Sequence, residues 1–488
     1  MSNLKLILLG VGVIALLAGA LVALKLTDDG DDGDTSSEPS DTIVSLWTGE
    51  EREVAKVEIN GPSGEFVVTK LPNADEIEQL NQSFTIEAYK DYPLQKPMIY
   101  TIATNLCTVD SASVIEKDCA SVDKYGLGDD KAIKVTLTTD SGAVRKFRIG
   151  DLNPTDESVS YFCLEGENTV YAVDSNKCAN FRMKPEKFIA TTVLEPLADG
   201  DTTAIDSLLI ERKDMEYGHI LYNKVVKDES TYGALAPLLM AEPIYAFLDL
   251  SKSTEIINGF FGLSADAVML LGPNEDQLEL AGVGKDPFCC VTMKCDDGNS
   301  YVLRLSNKMD VDTGDGTQSV YIGYFEGINI LYYFMPSSVP WAYCAPMDIT
   351  STMILGTYFY DLGEMTVEGD GKILAFEGSG DSDKYTATLN GASIDSEIFR
   401  GLYSFILKAP ADEMCLEEPK GELLCSVRVK TQSGKTEETL DFYELEGTRK
   451  VAISHNGKPS FKCRRTYLDR LLSNIGLVLS GEEIVQSW

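Results

Sequence analysis

Histidine is nearly absent from this chain: His219 and His455 are the only two among 488 residues. That scarcity leaves almost no material for imidazole metal sites or for a Ser-His-Asp arrangement. Basic charge is also short, with 42 Lys and Arg against 77 Asp and Glu and a formal net charge of -35. Such a balance repels phosphate, which argues against nucleic acid and anionic lipid surfaces as partners. No G-x-S-x-G occurs. Gly434-Lys435-Thr436 lacks the glycine five positions before Gly434 that a phosphate loop needs, and reads as a hairpin turn. Gly282-Val283-Gly284-Lys285 fails because no Ser or Thr follows the lysine. His455 sits in His455-Asn456-Gly457 and is expected in a solvated turn, and His219 at the start of a strand.

What is present in quantity is period-two alternation, and it recurs. Tyr125-Gly126-Leu127 precedes the strand Ile133 to Thr138, the turn Asp140-Ser141-Gly142 and the strand Arg145 to Ile149. A polar loop follows, then Tyr161 to Leu164, the turn at Gly166, and Val170 to Val173. Alternation gives each strand one buried face, and the glycine turns pair neighbours antiparallel. The same grammar returns with Phe261-Gly262-Leu263, Val291 to Cys295, Asp296-Asp297-Gly298, Tyr301 to Leu305, Tyr321 to Tyr324 and Ile330 to Phe334. A weaker copy holds Cys425 to Val429, Gln432-Ser433-Gly434, Thr439 to Tyr443 and Lys450 to Ser454. The two triplets, Tyr125-Gly126-Leu127 and Phe261-Gly262-Leu263, are expected in equivalent places before their meanders, with glycine supplying a left-handed turn.

Before each meander the pattern predicts a hairpin and one or two helices. Val54, Val57, Ile59, then Gly61-Pro62-Ser63-Gly64, then Phe66-Val67-Val68 reads as a hairpin, echoed at Ile205 to Ile210 and at Met365 and Val367. Helices are expected over Asn73 to Asn81 with Asn73 as cap, Pro93 to Leu106, Tyr232 to Leu250 despite Pro237 and Pro243, Ser396 to Leu407, and Thr466 to Ile475. The fold class is therefore α+β: repeated antiparallel-sheet modules with a few packed helices, following an N-terminal transmembrane helix. The expected divisions are a membrane anchor over 1–25, an acidic disordered tether over 26–53, and α+β modules over 54–195, 196–345 and 346–488.

Leu6 to Leu24 is uncharged and apolar, and nineteen helical residues span about 28 Å, close to a hydrocarbon core of about 30 Å. The rival, a cleaved signal peptide with Ala18-Gly19-Ala20 as its cleavage site, has a shorter apolar run than the one seen here. The expected placement is single-pass in a cell membrane, N-terminus cytoplasmic and the bulk of the chain extracytoplasmic. Asp28 to Glu53 carries ten acidic residues and one basic, a self-repelling stretch that cannot bury a core, so folding is expected to begin at Val54.

The 11 cysteines form no compact framework, and several fall within strands; mostly buried thiols and one or more bridges are both open readings. The sharpest metal candidates are Asp310, Asp312 and Asp315, carboxylates around a turn that could hold Ca²⁺ through oxygen; Cys289-Cys290 with Cys295 lacks the second pair a thiolate site needs. Their spacing fits an EF-type loop poorly, and Tyr321 stands where its bidentate Glu is required. No cofactor and no catalytic residue is expected. The aromatic run Tyr321, Tyr324, Phe325, Tyr332, Tyr333, Phe334, Trp341, Tyr343 belongs mostly to a core; exposed together, these rings would mark a partner or carbohydrate surface.

Tyr125-Gly126-Leu127, Val135-Thr136-Leu137, Phe147-Arg148-Ile149-Gly150-Asp151 and Thr169-Val170-Tyr171-Ala172-Val173 resemble the bacterial membrane-anchored family catalogued as domain of unknown function 4340. The N-terminal apolar run and the Val54–Val68 hairpin fit the same family. The resemblance is fullest in the first module, thinner in the second and slight in the third. It implies an extracytoplasmic accessory role beside an ABC-type transporter, with envelope or transporter proteins as partners and no assigned activity. The function expected is thus a non-enzymatic, membrane-anchored accessory or scaffold protein. A binding module for an extracellular small molecule or glycan is the alternative, and an uncharacterised hydrolase using carboxylates is the remaining enzyme reading.

Overall fold

The computed structural model describes residues 42–488 apart from 225–234, 313–316 and 383. The apolar run Leu6–Leu24, the tether up to residue 41, Asp315 and the first residues of the helix expected from Tyr232 lie outside the described residues. Among the described residues no helix is long and apolar enough to cross a membrane.

The fold is α+β, with three antiparallel sheets and few helices. All three sheets share one strand order. In the first, a post-helix strand, Ala112–Glu116, is followed by four meander strands in reverse chain order: Val170–Asp174, Asp156–Leu164, Val144–Asn153 and Ile133–Thr139. The opening hairpin, Val54–Gly61 and Gly64–Lys70, comes next. The second sheet runs Ala267–Leu271, then Ile330–Phe334, Thr317–Phe325, Ser300–Leu305 and Cys289–Cys295, then Ile205–Arg212, His219–Lys224, Leu235–Glu242 and Ala246–Asp249. The third runs Glu413–Met414, then Lys458–Arg464, Lys450–His455, Glu437–Glu444 and Leu423–Thr431, then Leu362–Gly369, Lys372–Ser379, Thr386–Leu389 and Ala392–Ser393. In chain order each begins with a hairpin, extended by two further strands in the second and third sheets, and continues with a helix (Lys96–Thr104, Leu250–Asn258 or Ser396–Leu407), a lone strand and a four-strand meander.

The alternation seen in the sequence is what builds these strands. Ile133, Val135 and Leu137 are buried while Lys134, Thr136 and Thr138 are half-exposed. The same parity buries Val291 and Met293, and Val427 and Val429. Contacts divide the chain into two compact units. One takes residues up to Pro72 together with Tyr100–Met183, and the other Asn73–Ile99 together with Lys184–Trp488. The second and third sheets share a continuous core that extends from Ile189 to Val478.

Several expectations are corrected. Order begins before Val54: Ile43 and Val44 pair with Ser113 and Ala112, and Trp47 packs 5.5 Å from Phe147. The Trp47 indole donates to Leu106 O at 3.0 Å, so strand pairing by the backbone and one packed ring hold an otherwise acidic stretch. The helix expected over Tyr232 to Leu250 is, in its described part, the strand pair Leu235–Glu242 and Ala246–Asp249. Its side chains pack on both faces, Ala236, Leu238 and Met240 into the main core and Leu235 and Leu239 into a second cluster with Phe247. A strand buried on both sides reads as a continuous apolar run, which periodicity cannot tell from a helix. Asn73 caps no α-helix; two 3₁₀ turns, Ala74–Glu76 and Leu80–Gln82, stand there instead. The helix expected over Pro93 to Leu106 is Lys96–Thr104, and Leu94 bridges to Ile189. Ser396–Leu407 is a helix over the expected residues, with Asp395 accepting from Glu397 N at 2.8 Å as its cap. The last helix, Arg465–Leu479, outruns its expected end at Ile475.

Candidate ligand-binding site

The segment joining the second sheet to the third, Ser351 to Tyr358, has no regular hydrogen-bond ladder of its own, yet Gly356 and Thr357 are buried. Buried amides without partners are costly, so something must accept from them. Glu438 does. On the strand Glu437–Glu444 it shares the inward parity of Leu440 and Phe442, and it is 3% exposed. Its carboxylate accepts from Gly356 N (3.1 Å to each oxygen), from Thr357 N (3.0 Å) and from Thr357 Oγ (2.8 Å). The imidazole of His455, 1% exposed, lies 3.2 Å away through Nε2. A buried carboxylate is tolerated only with this density of partners. The rings of Tyr245 and Phe247 meet His455 edge-on, at 4.7 and 5.5 Å between centroids. Tyr245 N donates to Pro459 O at 2.8 Å and Ser460 Oγ donates to Tyr245 O at 2.6 Å.

With its back pinned, the joining segment forms one wall of a cavity of about 270 Å³. The helix Ser396–Leu407 forms the other. Arg400, Tyr403, Ser404 and Leu407 stand at i, i+3, i+4 and i+7, so they make one stripe that faces the cavity. Leu235, Met353 and Leu355 supply apolar lining. Tyr403 Oη donates to Thr357 O and ties helix to wall. Phe359 sits among Tyr385, Phe399 and Tyr403 at 4.9, 5.3 and 6.2 Å, and the Arg400 guanidinium lies over its ring at 5.0 Å. Tyr358 and Tyr360 stack at 5.4 Å and 12°. Among the described residues Arg400 forms no ion pair. The arrangement can hold a small molecule with an apolar body.

The family resemblance read from the residues holds. Residues 85–285 match the model of a domain of unknown function, DUF4340. The match takes in the first helix, the first meander and the lead-in to the second meander, under half of the chain. The Val54–Val68 hairpin, the third sheet and most of the cavity lie outside the DUF4340 stretch. Neither the curated proteins nor the solved structures compared with the chain give a match.

The residues singled out by sequence are scattered. Asp310 and Asp312 lie on the strand Met309–Asp312, where Asp310 accepts from Ser319 Oγ at 2.5 Å, and Asp315 is outside the described residues. Among the described residues no three His, Cys, Asp or Glu side chains gather as a metal site. All 11 cysteines are free thiols, ten buried and Cys290 half-buried. Burial pushes Cys163 and Cys344 up to about 11 and Cys425 and Cys463 up to about 12, so they remain protonated packing groups at neutral pH. Of the aromatic run, Tyr321, Phe325, Tyr332, Phe334 and Trp341 are core, Tyr324 and Tyr333 are half-buried against Val283, Ile322 and Leu331, and Tyr343 alone is exposed. His219 opens a strand as expected and pairs with Glu242 at 2.6 Å. His455 is corrected: it ends the strand Lys450–His455, and the solvated turn is Asn456-Gly457. Its inward parity with Val451 and Ile453 was the signal, and the adjoining Asn-Gly obscured it.

Proposed function

We propose that this protein is a non-enzymatic, extracytoplasmic accessory or scaffold protein, anchored in the membrane through Leu6–Leu24. On this reading its sheet modules are offered for contact with envelope proteins, subunits of an ABC-type transporter among them. The observation that carries the reading is one strand order used three times, together with the apolar run and acidic stretch that precede it in sequence. Repeated modules extend contact surface without requiring a reacting centre. The net charge of -35 directs that surface toward proteins and away from nucleic acid and anionic lipid. Crosslinking in intact cells, followed by purification of this chain, should recover membrane-protein partners reproducibly. Recovery of this chain alone would count against an accessory role.

One observation favours a second reading, a binding module for an extracellular small molecule: the cavity between the Ser396–Leu407 helix and the joining segment. Its largely apolar lining suits a glycan poorly, since sugar hydroxyls facing Leu235, Leu355 and Leu407 would lose water without gaining partners.

A further inference from the structure

We infer that this cavity binds a small amphipathic carboxylate, with its apolar body against Leu235, Met353 and Leu355 and its carboxylate on Arg400 and Ser404. The inference rests on the second reading above and assigns it a ligand class.

Three features converge on that class. The first is volume: 270 Å³ holds roughly nine water-sized volumes of ~30 Å³ each, the bulk of a single short chain and too little for a two-chain lipid. An apolar cavity of this kind is a poor host for water and a good one for a hydrocarbon body. The second is the polar end. Arg400 and Ser404 are four residues apart on one helix, hence neighbours on its surface. Both line the cavity, Ser404 is half-buried, and among the described residues neither the guanidinium nor the hydroxyl has a hydrogen-bond partner. A planar guanidinium with an adjacent hydroxyl presents donors to a carboxylate and repels a cation. Arg400 is exposed and has no acidic partner among the described residues, so its guanidinium is open to a ligand anion. The third is preorganisation. Phe359 holds the Arg400 guanidinium by a cation–π contact, while Glu438 and Tyr403 fix the wall through Gly356 and Thr357. Little order therefore remains to be imposed when a ligand enters.

Octanoate, octanol and octylammonium test the class against the full-length protein in nanodiscs, by equilibrium dialysis with empty nanodiscs as the blank. Octanoate should bind at least tenfold tighter than octanol, and octylammonium weakest. Arg400→Met keeps the packing on Phe359 and should weaken octanoate about tenfold while changing octanol less than twofold. Ser404→Leu fills the cavity and should abolish both; an unchanged melting temperature certifies its fold, and Arg400→Met carries the test if that control fails. Equal affinity for octanoate and octanol, or no effect of Arg400→Met, overturns the carboxylate assignment and leaves small-molecule binding in place. Binding of none of the three to the wild-type protein sinks the second reading itself.

Discussion

Before the first meander, the 3₁₀ turn Val122–Tyr125 ends on Gly126 at φ +71°, and Leu127 N returns to Val122 O at 3.3 Å. Before the second, the helix Glu275–Leu280 runs through Ala281 to Gly282 at φ +74°, and Val283 N returns to Leu278 O at 3.0 Å. Both are helix ends closed by a left-handed glycine and a six-to-one bond, followed by a buried apolar residue. The likeness goes further. A Cβ on Gly128 would strike the Asp123 carboxylate, as one on Gly284 would strike that of Glu279. Arg148 Nη1 donates to Leu127 O at 3.3 Å and Arg304 Nη1 to Gly284 O at 3.2 Å, and each arginine also faces a glutamate of the next turn, Glu165 or Glu326. Phe261-Gly262-Leu263, the triplet that matches Tyr125-Gly126-Leu127 by letter, lies elsewhere: it follows the helix Leu250–Asn258 and precedes the lone strand. The expected equivalence of the two triplets is therefore wrong, although both glycines have positive φ. Equivalence follows distance from the strand, and the letters at equivalent places share only a glycine and an apolar side chain.

The third sheet sharpens the contrast. Its lead-in, Cys415 to Glu422, has no helical turn and no left-handed glycine. It keeps one detail of the first: Cys415 N donates to Ser460 O and its thiol to Glu417 O, as Cys119 N donates to Asn168 O and its thiol to Ser121 O. The apolar plug is thus the part that can be dropped, and its removal should have the largest local effect where it exists. Leu127 is fully buried against Cys119, Cys163 and Val170. Leu127→Ala should cost about 2–4 kcal/mol, and Val283→Ala, with fewer carbons removed, about 1–2 kcal/mol. Urea titration with peptide-resolved hydrogen exchange over residues 133–173 and 289–334 reads the two separately. A loss below about 0.5 kcal/mol for Leu127→Ala would show that the plug is not holding the lead-in.

How much of this was legible depends on which faces a segment buries. The meander strands were, because one face of each is wet and the alternation survives, as in Ile133 to Thr138. So was Ser396–Leu407, an amphipathic helix with an aspartate cap. Leu235–Glu242 was not, because burial on both faces erases the period. The cavity was half legible. The stripe Arg400, Tyr403, Ser404, Leu407 can be read from spacing, but its opposite wall is an aperiodic segment whose place is set by Glu438, 82 residues from Gly356.

The next expected effect is on pH. The cluster beneath the first lead-in contains a thiol, Cys163, that burial pushes up to about 11, while the cluster beneath the second contains none. The folded state holds that proton after the unfolded chain, near 9, has released it. Stability from this group is therefore complete below about pH 9 and falls as pH rises toward 11, by about 1.4 kcal/mol per unit. Cys163→Ala should reduce the slope of stability between pH 9 and 11 for residues 133–173 without abolishing it, because Cys178 is also pushed up to about 11. Denaturant midpoints at pH 8, 9, 10 and 11 under reducing conditions give the slope. An unchanged slope in the variant would remove Cys163 from the account.

The smallest effects separate geometry from letters. Alanine at Gly126, Gly282 or Gly262 forces a Cβ into the left-handed region, at roughly 1 kcal/mol each. Surroundings then rank them. At Gly126 the new Cβ would lie 2.4 Å from Asp151 Cγ, so that exposed side chain must swing away. At Gly282 it meets Ser306 Cβ at 3.4 Å, and at Gly262 only Pro196 Cβ at 3.8 Å, an ordinary contact. Gly126→Ala should therefore cost most and Gly262→Ala least, even though Gly126 and Gly262 share a motif by letter. Asparagine tolerates the left-handed region better than alanine. At Gly262, where space is not limiting, Gly→Asn should recover part of the loss; at Gly126 the Asp151 contact should withhold that recovery. Urea midpoints for the five variants decide it. Equal costs for Ala and Asn at Gly262 would show that backbone conformation is not what glycine supplies there.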